Sequence, residues 1–154
     1  MRRLSLGLAL GWMAVLFWLS SQPSIDAPLL FPGQDKLFHA LVYGLLACLL
    51  LGTLRAGRRG YSLRQAWLAA SLASLYGITD ELHQAFVPGR SADAWDWAAD
   101  TGGALLAAWL LARASTAFYG RKNSRQDAKG AKKPAFVSRL RAARASRKQK
   151  SRHL

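Results

Sequence analysis

Two short stretches hold most of the residues able to do chemistry. The first, "DKLFHALVY", carries Asp35, Lys36, His39 and Tyr43. The second, "DELHQAFVPGR", carries Asp80, Glu81, His83, Gln84 and Arg90, and Asp93, Asp96 and Asp100 follow within ten residues of Arg90. On a helix Asp35 and His39 stand four apart and share a face, and Tyr43 extends that stripe by a turn. Asp80 and Gln84 share a face in the same way, as do Asp96 and Asp100. Carboxylates crowded together perturb one another's protonation, which is how general acids and bases are made. In that chemistry Asp80 or Glu81 would be the general base and His39 the general acid or proton shuttle. Lys36 and Arg90 would hold an anion, Arg90 through the two-pronged geometry that suits phosphate or carboxylate. Asp35, Gln84, Asp96 and Tyr43 would complete the binding surface.

The same residues admit a plainer reading. Asp35 and Asp96 are placed to cap helices. Lys36 and Arg90 could pair with Asp35, Asp80, Glu81, Asp96 or Asp100 to staple helix ends. A divalent ion on His39, His83 and neighbouring acids is conceivable, but no HExxH or CxxC signature fixes one, so no metal is assigned. There is no Gly-rich phosphate loop, no GxSxG and no cofactor fingerprint, and the cofactor stays open.

These polar groups lie at the edges of four apolar runs, roughly 4–20, 37–54, 65–79 and 97–112. A spanning helix needs about 20 residues, with a range of about 17–25. The first two runs qualify. The last two are shorter and rich in Ala, Gly and Ser, a composition that lets helices pack closely inside a bundle. The expected fold is all-α: an integral membrane bundle of about four transmembrane helices. Arg2 and Arg3 give the first run the basic start of a signal peptide. Its apolar stretch is long for one, however, and "SSQPSIDAP" has no clean small-x-small site, so it reads as a retained span.

Charge placement sets the expected orientation. The chain has 154 residues and a formal charge of +14, yet residues 1–112 carry eight Lys/Arg against seven Asp/Glu. Residues 113–154 carry fourteen against Asp127 alone. Arg2 and Arg3, then Arg55, Arg58, Arg59 and Arg64, then the basic tail fall on one side of a four-span chain. The other loops hold only Lys36 and Arg90. The positive-inside rule puts both termini in the cytoplasm and both motifs on the extracytoplasmic side of the cell membrane. The six tryptophans, Trp12, Trp18, Trp67, Trp95, Trp97 and Trp109, mostly fall near run ends, as interfacial anchors should. The tail, 113–154, has too few apolar residues for a core and is expected to be disordered. Helical spacing of Phe136, Leu140 and Ala143 admits a short amphipathic helix on anionic inner-leaflet lipids. Specific nucleic-acid binding is not expected of it. Cys48, alone in an apolar run, reads as packing.

The chain resembles the VanZ-like family of small bacterial membrane proteins over about residues 1–112. The resemblance rests on "SSQP", "DKLFHALVYGLL" and "DELHQAFVPGRSADAWDWAADTGGALL". The family pattern maps onto Asp35, Lys36, His39 and Tyr43, then Asp80, Glu81, Gln84, Phe86, Pro88, Gly89 and Arg90, then Asp96. One departure stands out: Asp100 occupies a position where the family commonly has Asn, so an acid replaces an amide. The family takes its name from a protein linked to resistance to the glycopeptide teicoplanin. The resemblance therefore implies a cell-envelope setting, with membrane lipids or a lipid-linked cell-wall precursor as partners. Three functions remain open: hydrolysis or group transfer on an envelope lipid head group, binding without catalysis, and a small transporter.

Overall fold

The computed structural model describes residues 2–23, 30–55 and 60–150, with side chains described through 126 and at 128. Arg58, Arg59 and the side chains of Phe136, Leu140 and Ala143 lie outside the described residues. The described residues form four helices and no strand: α1 (Arg2–Ser20), α2 (Gln34–Thr53), α3 (Leu63–Gln84) and α4 (Ala94–Lys150). The chain divides into two compact units, Met1–Thr116 and Ala117–Leu154.

Within the first unit the helices run alternately up and down. Arg2 Nε donates to the carbonyl of Thr53, and Trp12 Nε1 donates to that of Val42, so α1 and α2 are antiparallel. Tyr76 Oη donates to the Met13 carbonyl, and His83 Nε2 meets Ser21 Oγ at 2.9 Å, so α3 runs with α1. Ser74 pairs with Thr101, and the Tyr61 N–H donates to Ser115 Oγ, so α4 opposes α3. The end of α1, the start of α2, the end of α3 and the start of α4 thus meet at one end of the bundle.

Small residues on the inner faces bring the helices close. On α3 the buried positions are Ala66, Ala69, Ala70, Ala73, Gly77, Asp80, Glu81 and Gln84, the three-and-four spacing of one helical face. On α4 Asp100, Ala104, Ala108 and Ala112 are buried at steps of four. The tightest approach is between α2 and α4. A Cβ on Gly103 would overlap the backbone of Ala40, and one on Gly44 would sit 3.2 Å from the Gly103 carbonyl. Glycine is required at 103 for the helices to cross this closely, and a side chain at 44 would be a tight fit.

The outer faces are the reverse of a soluble protein's. Leu6, Phe17, Leu41, Leu68, Leu75 and Leu106 are among many large apolar side chains that are exposed. Helices α1 and α2 are long and apolar enough to cross a membrane, and only 17% and 28% of their apolar windows are buried, which excludes the core helix of a soluble domain. Apolar surface on this scale belongs against lipid. Two helices able to span and this exposed apolar surface point to a helical membrane protein.

Three expectations need correction. Helix α3 extends five residues beyond the expected 79, to Gln84, because its polar residues continue the buried stripe rather than ending it. Helix α4 runs to Lys150, where a disordered tail was expected from 113. The tail lacks a core, but it is mostly Ala, Arg, Lys and other helix formers that extend a helix nucleated upstream, while Pro134 within it removes one main-chain hydrogen bond. Trp12 sits mid-helix and donates to a main-chain carbonyl rather than anchoring an end.

Candidate functional site

Each helix end delivers its side chains for a local reason. Gly33, at φ 81, turns the chain into α2, which places Asp35 and Lys36 in the first turn and His39 one turn on. The capping box of Ser62 and Gln65 starts α3, so that Asp80, Glu81 and Gln84 arrive on its inner face about five turns later. Past α3 the Arg90 N–H bonds the Val87 carbonyl across Pro88-Gly89, with Gly89 at φ 78. Proline at the second position and a positive-φ glycine at the third are the signature of a type II turn. This turn swings Arg90 back over the end of α1. Asp93 then starts α4: its Oδ1 accepts from the Trp95 N–H at 2.8 Å. The expected caps, Asp35 and Asp96, lie inside the first turns of their helices instead.

Three groups of contacts result. Lys36 Nζ donates to Asp35 Oδ2 at 2.9 Å, Asp93 Oδ2 at 2.8 Å and Asp96 Oδ1 at 2.5 Å. An ammonium has three donors, and all three are spent. Beside it in the connecting loop, the hydrogen bond from Lys36 holds the Asp93 carboxyl below the usual carboxylate range, and the Trp95 N–H adds to this.

The second group is deeper. His39 Nδ1 pairs with Asp100 Oδ1 at 2.9 Å, and its Nε2 lies 3.7 Å from Asp96 Oδ2. Tyr43 Oη donates to Asp80 Oδ2 at 3.0 Å. Glu81 Oε2 accepts the Asp93 N–H at 2.8 Å. Asp80, Glu81, Gln84 and Asp100 are all at least nine-tenths buried. Three of their oxygens, Asp80 Oδ1, Glu81 Oε1 and Asp100 Oδ2, are buried without a hydrogen-bond partner. Gly77 makes room for Asp100, since a Cβ there would approach Asp100 Oδ2 to 3.1 Å.

The third group surrounds Arg90. Its guanidinium donates to the carbonyls of Gln22 at 3.0 Å and Leu19 at 3.3 Å, and to Gln84 Oε1 at 3.1 Å. The expected pairing of Arg90 with a carboxylate is therefore replaced by bonds to neutral oxygens, because the turn aims it at the frayed end of α1. Those bonds fix the guanidinium without neutralising it. A cavity of about 240 Å³ opens beside it, walled by Leu16, Leu19, Phe38 and Val42 and floored by His39 and Asp80.

The structure thus brings the predicted residues to one end of the bundle. Two more belong with them. Asp93 was legible as an acid but not as a Lys36 partner, since it lies 57 residues away from Lys36 in sequence. Asp100 showed its spacing from Asp96 but not its bond to His39. His83 stands apart, stacked on Phe17 with ring centroids 4.4 Å apart.

A model of the VanZ/LLP1 family matches residues 5–115, nearly all of the first compact unit. The chain belongs to that family. No curated protein and no solved structure matches it.

Proposed function

We propose that this VanZ/LLP1-family chain crosses the cell membrane four times, with both termini in the cytoplasm, and binds the anionic head group of an envelope lipid or lipid-linked precursor at its extracytoplasmic rim. The observation that carries this reading is the cavity beside Arg90. It joins an apolar wall to a polar floor, as an amphiphile requires, and its one guanidinium is held by neutral oxygens. A fixed, half-buried arginine whose charge is not already paired with a carboxylate is a receptor for phosphate. Lys36, spent on three carboxylates, positions acids instead of holding the anion.

Length supports the four-span topology. Helix α3 has 22 residues, about 33 Å at 1.5 Å per residue, against a hydrocarbon core of about 30 Å. It falls short of α1 and α2 only in apolarity, and its Asp80, Glu81 and Gln84 face inward. If the bound head group is also cut or transferred, Glu81 is the better placed base and His39 the acid, since Asp80 is engaged by Tyr43. Binding without catalysis is the second reading, and a contribution to teicoplanin-type tolerance would follow from either.

The test is lipid co-purification. Wild-type protein is expected to retain a phospholipid or lipid-linked phosphate detectable by mass spectrometry. Arg90→Ala, helical and inserted, should lose about tenfold or more of it, since a charge-assisted bidentate contact contributes about 1.5–3 kcal/mol. Equal retention by both proteins sinks the reading.

A further inference from the structure

We propose that His39, Glu81 and Asp96 form a binding site for a first-row divalent transition metal, with Asp100 orienting the imidazole from behind. One ligand atom from each of the three residues lies within 4.8 Å of the other two. His39 Nε2 and Asp96 Oδ2 are 3.7 Å apart, close to the edge of about 3.4 Å that bonds of about 2.1 Å give in a tetrahedral site.

Proximity of acids alone would not make a site; three further observations do. Glu81 is 7% exposed, and its Oε1 is buried with no hydrogen-bond partner. Its other oxygen is already anchored by the Asp93 N–H, so Oε1 is the atom left over. Leaving such an oxygen unmatched is costly, and more so when it is charged. A cation among the three ligands would remove that cost.

Secondly, His39 is arranged as metal-bound histidines are. Its Nδ1 lies 2.9 Å from Asp100 Oδ1, and in the neutral ring that donates there, the Nε2 lone pair faces Asp96. A carboxylate behind the imidazole both orients the ring and raises its basicity. Two acceptors 3.7 Å apart repel unless a cation lies between them. Asp96 can serve, because Lys36 occupies only its Oδ1.

Thirdly, charge is unbalanced. Six carboxylates lie at this end with the single ammonium of Lys36, which bonds Asp35, Asp93 and Asp96 and reaches none of the buried three, Asp80, Glu81 and Asp100. Arg90 is bonded to carbonyls. Buried like charges on this scale call for a counter-cation. One imidazole with two carboxylates favours manganese, iron or zinc over calcium or magnesium.

The inference stands without the head-group reading: lipid retention depends on Arg90, and metal binding on three other side chains. The probe is Mn²⁺, followed by the loss of its free-ion EPR signal on titration into the full chain in detergent. One saturable equivalent per chain is expected. His83→Gln, outside the cluster, should bind as wild type does. Glu81→Gln and His39→Gln, with wild-type circular dichroism and elution, should each weaken binding about tenfold or more. Wild-type protein without saturable binding up to millimolar Mn²⁺ overturns the site and leaves a protonated His39 bridging Asp96 and Asp100. Equal binding by Glu81→Gln and wild type overturns it as well, since the metal would then be adventitious.

Discussion

The inner face of α3 changes character along its length. From Ala66 to Ala73 it joins an apolar cluster with Ala104, Ala108 and Ala112 of α4, and the buried side chains there carry no polar atom. From Gly77 to Gln84 the same face, at the same spacing, carries Asp80, Glu81 and Gln84 among side chains that leave three oxygens unmatched. The alanine end gains stability from close approach. The acidic end spends it on holding charge where water is scarce. A seam that needed only to hold helices together would have continued in alanine. The contrast sets the acidic end apart as the candidate site, and it can be attacked from either side.

The largest effect should come from the seam. Gly103→Val drives a branched side chain into the Ala40 backbone, the closest helix crossing in the first unit. Overpacking of this kind costs about 3 kcal/mol or more when backbone must move. The melting temperature in detergent should collapse, and the His39–Asp100 pair, one turn away, should be lost with it. A melt near wild type would mean that α2 and α4 do not need this contact.

A smaller change, of opposite sign, should come from the acidic end. Asp100→Asn keeps an oxygen to accept from His39 Nδ1 and removes a buried negative charge whose Oδ2 has no partner. The fold should gain about 1 kcal/mol, read as a higher melting temperature. Mn²⁺ binding should weaken, because the amide supports the imidazole less well than a carboxylate. A lower melting temperature would show instead that the charge of Asp100 holds the site together.

The smallest effect should come from Asp93, in the connecting loop. Its carboxyl is held below the usual range by Lys36, so its ionised form is favoured in the folded state. A depressed carboxylate adds stability above its unfolded pKa and loses it as pH falls through the folded one. Asp93→Asn should therefore melt slightly below wild type at neutral pH, and the two melting curves should converge in strong acid. A difference that persists in acid would trace to the Trp95 N–H cap rather than to charge.

Much of this was legible beforehand. Four helices followed from four apolar runs, and helical spacing placed Asp35 with His39 and Asp96 with Asp100 on common faces. Alternating runs also put both motifs at one end, because consecutive helices joined by short loops pack antiparallel. Two boundaries were misread for one reason. Polar residues after Thr79 and basic residues after Ala112 looked like helix ends, but neither group breaks a helix; Pro88-Gly89 does.

The sequence by itself determined which residues gather at one end of the bundle, since helix periodicity and apolar run length are local properties of the chain. Only the tertiary structure decided what each one does on meeting. Lys36 takes Asp93 and Asp96 from the start of α4, more than fifty residues away, and is used up. Arg90 reaches the carbonyls of Leu19 and Gln22 at the end of α1 and pairs with no carboxylate among the described residues. Glu81 keeps one oxygen unpaired beside His39 and Asp96. Pairing between helices depends on crossing distance, here set by Gly44 and Gly103. Distances of a few ångströms between remote segments leave no trace in the spacing of either one.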